Sequence, residues 1–117
     1  MTAFVVIETS FEALHRWEGA RGKEVYLAHD HRHMFVVQLK IQVRHNDREI
    51  EINSAKRWLD SFLSDLGNPG PLRKLGNMSC EEIASTIILS AKEQFGEGRT
   101  MVCKVLEDGY LGAEVAD

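Results

Sequence analysis

His29-Asp30-His31-Arg32-His33-Met34-Phe35-Val36-Val37-Gln38-Leu39-Lys40-Ile41-Gln42-Val43-Arg44 is the stretch that decides the fold. From Phe35 onward the odd positions Phe35, Val37, Leu39, Ile41 and Val43 are apolar, while Gln38, Lys40, Gln42 and Arg44 are polar. A period of two is that of a strand with one face on the core, and it predicts a strand over residues 33–45. Residues 3–15 alternate in the same sense, with Val5, Ile7, Phe11 and Ala13 leading to His15. Extended backward, the register of the first stretch puts His33 and His31 on the apolar face, where His15 also falls. Buried imidazoles need partners, and one divalent metal ion can be shared by several. Three neutral histidines with a free fourth position form a catalytic-type zinc arrangement. The alternative is a solvated polar loop over His29–His33 and a lone buried His15, since H-x-H pairs are common.

Outward from these strands, residues 16–30 read as a loop containing Gly19 and Gly22, and His45-Asn46-Asp47-Arg48 has turn chemistry. A short strand from Glu49 to Ile52 is expected as the returning arm of a hairpin. The period then changes to 3.6: Ala55, Trp58, Leu59, Phe62, Leu63 and Leu66 share a helical stripe. Asn53 or Ser54 is expected to cap this helix and Gly67 to end it. Gly67-Asn68-Pro69-Gly70-Pro71 is a breaker. A second helix starts at Ser79, where Glu82 completes a capping box, and Gly96 ends it. Strands follow at 100–107 and 110–116. The class is α+β, an antiparallel four-stranded sheet covered by two helices in the order ββααββ. Phe4 and Val6 make the outer face of the first strand unusually apolar, and the sheet edges are unclosed. Both suggest subunits joined edge to edge into a barrel.

Composition narrows the function. A chain of 117 residues with 44% hydrophobic and 27% charged residues is a single soluble domain, 1–117. A net charge of −4 with scattered basic residues argues against a nucleic-acid partner. Two cysteines in apolar segments, Cys80 and Cys103, read as buried hydrophobes in a reducing compartment. No leader peptide and no apolar run of membrane-spanning length is visible. The expectation is a cytoplasmic protein with no membrane partner.

Several segments, in order along the chain, resemble the 6-pyruvoyl-tetrahydropterin synthase family, which includes the 6-carboxytetrahydropterin synthases. Phe11-Glu12-Ala13-Leu14-His15 is similar to the family's F-x-A-x-H, and His31-Arg32-His33-Met34-Phe35 to its H-G-H-x-Y, with Arg32 in place of glycine. Ile50-Glu51-Ile52 and Lys56 resemble the approach to the first helix. Ser79-Cys80-Glu81-Glu82-Ile83-Ala84 resembles the start of the second, with Met78 in place of proline, and Val105-Leu106-Glu107 resembles a late strand.

The resemblance implies the T-fold (tunnelling fold), with zinc or another divalent metal on His15, His31 and His33. It implies Glu107 as the carboxylate that anchors a pterin ring, and a homohexamer made as a dimer of trimers with active sites between subunits. The reaction implied is a zinc-dependent lyase step on 7,8-dihydroneopterin triphosphate or a related pterin, in tetrahydropterin or queuosine-type biosynthesis. The family's proton relay is incomplete here. No cysteine precedes the H-x-H, where Val25, Tyr26, Leu27 and Ala28 stand, and Leu66 replaces the relay histidine after Asp65. Asp65 matches the family's relay aspartate, Glu24 is the candidate to stand in for the cysteine, and His29 or His45 is a candidate general base by residue type. The alternative implied is a degenerate member that binds metal and a pterin or purine without the standard turnover.

Overall fold

β1 (Ala3–His15) and β2 (His31–Val43) are thirteen-residue strands paired antiparallel along their whole length, from Ala3 opposite Val43 to His15 opposite His31. In the computed structural model, which describes residues 1–117, the connection between them carries one short 3-10 helix, Gly22–Ala28. β4 (Met101–Glu107) lies antiparallel on the other side of β2 and brings Glu107 opposite Phe35. β5 (Leu111–Ala116) pairs with β4. The helices are α1 (Ile52–Ser64) and α2 (Cys80–Phe95). The α+β class holds, and β2 begins at His31, two residues before the predicted start.

The expected four-stranded antiparallel sheet is corrected: a short strand β3 (Arg73–Lys74) makes it a mixed sheet of five, in the order β3-β1-β2-β4-β5. β3 runs parallel to β1 at Ala13 and Leu14. It arises because the chain reverses after Gly67, which sits at φ 78° where a Cβ would strike the Lys74 carbonyl and the Leu75 side chain. Asn68 and Lys74 then exchange backbone hydrogen bonds of 2.9 and 3.1 Å, and the Leu75 N–H donates to the Leu14 carbonyl at 2.8 Å. Two paired residues are too few to show a period.

The predicted strand at Glu49–Ile52 is also absent. The Glu49 carboxylate accepts from the Arg44 backbone N–H at 2.7 Å and from both terminal nitrogens of Arg99 at 2.9–3.0 Å. The Glu51 carboxylate accepts from the Asn53 and Ser54 N–H groups at 2.7 and 2.9 Å, so Glu51 rather than Asn53 or Ser54 caps α1. The Glu49 carboxylate thus takes the Arg44 N–H that a hairpin ladder would have used, and the Glu51 carboxylate starts a helix where the strand was expected. α1 stops at Ser64, ahead of the expected Gly67. The start of α2 is as predicted: Ser79 Oγ accepts from the Glu82 N–H at 3.1 Å, and Gly96 follows Phe95 at φ 124°.

The core lies between one sheet face and the two helices. Phe35, Leu39 and Ile41 from β2, Leu59 from α1, and Ile83 and Ile87 from α2 are fully buried; each contributes about 1.5–3 kcal/mol relative to exposure. Trp58 stacks on Phe62 with ring centroids 5.5 Å apart and meets Phe95 edge-on at 5.3 Å. Arg99 is buried and also donates to the carbonyls of Phe95 and Gln42, tying the end of α2 to β2 and to the segment after it. No helix is long and apolar enough to cross a membrane.

Candidate metal centre

The ladder builds the site. His15 faces His31 across the β1–β2 pair, His33 stands opposite Ala13, and Glu107 stands opposite Phe35. All four belong to the core-facing register, at the end of the sheet where the apolar residues run out. One donor atom from each of His15, His31, His33 and Glu107 lies within 4.8 Å of the other three, and this group can hold a metal ion. The expected histidine set is therefore brought together, with a carboxylate beside it.

Hydrogen bonds fix the rings. His15 Nδ1 is 2.8 Å from the Met78 carbonyl, His31 Nδ1 is 2.9 Å from the His29 carbonyl, and His33 Nδ1 is 2.6 Å from Asp108 Oδ2. A carbonyl only accepts, so Nδ1 carries the proton in His15 and His31. Asp108 does the same for His33, because its carboxyl is held below the ordinary value by the Met34 backbone N–H and by His33 itself. In the neutral imidazole, the form that binds metal, each Nε2 then carries the lone pair. His15 is buried, and its Nε2 lies 2.9 Å from Glu107 Oε2 yet has no hydrogen bond. His33 Nε2 is 3.6 Å from Glu107 Oε1. Buried lone pairs facing a carboxylate leave a deficit that a cation fills, and nitrogen with one oxygen donor suits zinc. Imidazoles whose far nitrogen donates to an oxygen are the usual form of metal-binding histidine.

A cavity of about 550 Å³ opens over His15, His31 and Glu107, within the size range of small-molecule sites. Trp17, Leu27 and Leu111 give it apolar wall, and the first turn of α2 adds Cys80, Glu81 and Glu82. The Cys80 thiol is pushed up to about 12 by burial and by the carboxylates of Glu107 and Glu81. Burial alone does the same to Cys103 in the core. Both cysteines are free.

The catalytic candidates lie elsewhere. Glu24 is exposed on the 3-10 helix, and the exposed His29 contributes its backbone carbonyl to His31. Asp65 is the exposed C-cap of α1, and His45 accepts from the Asp47 N–H in a surface turn. None of the four lines the cavity. Sequence reasoning missed Asp108, the Met78 carbonyl and the Cys80–Glu82 wall. Only Asp108 had a signal, as an Asp-Gly turn beside Glu107. The chain matches no model of a known protein family and no curated protein.

Proposed function

We propose that this chain is a zinc-dependent lyase of the 6-pyruvoyl/6-carboxytetrahydropterin synthase type, built on the T-fold and acting on 7,8-dihydroneopterin triphosphate or a related pterin. The observation that carries the reading is the convergence of His15, His31, His33 and Glu107 within 4.8 Å beneath a cavity of about 550 Å³. The three imidazoles would hold the ion. A bound divalent ion supplies Lewis acidity to the hydroxyl and carbonyl oxygens of the substrate side chain, lowering the cost of an enolate-like transition state.

The protein's own groups do the rest. Glu107 reaches both the donor set and the cavity, and a carboxylate there accepts two hydrogen bonds from the N–H and amino edge of a pterin. Trp17, Leu27 and Leu111 provide an apolar surface for a flat ring. Asp108 holds the His33 ring in place. Proton transfer falls to the wall carboxylates Glu81 and Glu82, because the Cys80 thiol stays protonated. That thiol also favours a second reading, a family member that binds a pterin or purine and metal without the standard turnover. The apolar outer face of β1 and the open edges support assembly through the sheets into a homohexamer, and two free buried cysteines suit a reducing cytoplasm.

The test incubates zinc-loaded protein with 7,8-dihydroneopterin and, separately, with its triphosphate, read by liquid chromatography–mass spectrometry beside His31→Ala. The expected result is a new product that vanishes in the variant. Metal-loaded protein that binds a pterin but forms no product from either compound sinks the lyase reading and leaves the binding one.

A further inference from the structure

The cavity is poor in positive charge. Its wall holds three carboxylates, Glu81, Glu82 and Glu107, and a single guanidinium, Arg16. That guanidinium is already committed: Arg16 Nη2 lies 2.9 Å from Glu18 Oε1, and Nη1 lies 3.3 Å from Asp30 Oδ1. A divalent ion on the histidines would leave the ion and Arg16 facing five carboxylates. The N-terminus of α2, the one element of the wall that attracts anions, is neutralised locally. Glu81 and Glu82 occupy its first turn, and the Glu82 N–H is taken by Ser79 Oγ at 3.1 Å. A triphosphate placed here would meet three carboxylates and no uncommitted cationic side chain.

We infer that the cavity selects a ring substrate carrying no phosphate, the free polyol 7,8-dihydroneopterin or a similarly uncharged pterin, with Glu81 and Glu82 as the residues that turn phosphate esters away. The ring class rests on the function proposed above, whereas the charge class rests on the wall itself. It follows that a phosphate-releasing hydrolysis must supply this substrate.

The experiment is isothermal titration of the zinc-loaded protein, in its native assembly, with 7,8-dihydroneopterin and with its triphosphate. It is run at low and high ionic strength, with metal content checked after each run because a triphosphate chelates zinc. The free polyol is expected to bind about tenfold or more tightly than the triphosphate, and the triphosphate to gain affinity as salt screens the repulsion. The double variant Glu81→Gln/Glu82→Gln keeps the capping box and should close most of the gap. A triphosphate that binds as well or better overturns the inference, as when another copy of the chain reaches in with a lysine; so does a gap the double variant leaves unchanged. Reversed preference with pterin still bound leaves the lyase reading standing. Failure of both compounds to bind overturns this inference and the pterin assignment together.

Discussion

Each imidazole of the site gives one nitrogen to an oxygen of the protein and turns the other toward the cluster, so the nitrogen each would offer a metal is fixed in advance. The three oxygens come from separate places: the approach to α2, the segment just before β2, and the β4–β5 turn. Asp108 is the most exposed to test. It sits at φ 55°, a left-handed conformation that Asp and Asn tolerate better than other side chains, and its other oxygen accepts from the Met34 N–H at 3.0 Å. Asp108→Ala should weaken zinc binding by about 10–100-fold, measured by competition with a chromogenic chelator. Asp108→Asn, which keeps the turn, should lose less; equal affinity in all three proteins would mean that Asp108 serves the turn alone. The histidines were legible in the sequence because they extend an apolar alternation. Asp108 was legible only as part of an Asp-Gly turn; its pairing with His33, 75 positions away in the chain, was not.

Among the elements, the segment between β2 and α1 shows how charge can override a strand pattern. Ile50 is buried as alternation requires, but its neighbours Glu49 and Glu51 spend their carboxylates on Arg99 and on the start of α1. Glu49 sits at about 2 instead of 4.5, chiefly because of the Arg99 hydrogen bonds. A carboxylate with a depressed folded-state pKa adds stability that is complete above about 4.5 and is lost as the pH falls through about 2. Glu49→Gln should therefore melt below the parent at neutral pH, with the difference shrinking over that interval in thermal unfolding followed by circular dichroism. A difference constant down to the lower limit would assign the effect to neutral hydrogen bonding. β3 was illegible for another reason: its register comes from the reversal at Gly67 and from the far end of β1.

For the whole molecule, the long strands, both helices and the final hairpin were legible because each carries a sustained period or a capping signal. The lateral order was not, since it depends on which edges meet. That order constrains assembly. β3 covers β1 only at Ala13 and Leu14, so the open edges are the rest of β1 and all of β5. Two different strands can pair only head to tail, which forms a ring when it closes and a filament when it does not. Sedimentation equilibrium should give the mass of a homohexamer of the 13.3 kDa chain. A monomer or a two-fold dimer would overturn the barrel. Magnesium, zinc and chelator runs compared on the same sample would show whether the ion also holds subunits together.

The placement of the two tryptophans has a practical consequence. Trp17 is half exposed in the cavity wall, whereas Trp58 on α1 is packed against Phe62 of the same helix and Phe95 at the end of α2. One indole therefore senses what enters the cavity, and the other senses whether the helices remain docked. With Trp17→Phe and Trp58→Phe as references, intrinsic fluorescence from the unlabelled protein separates occupancy from unfolding in a single titration.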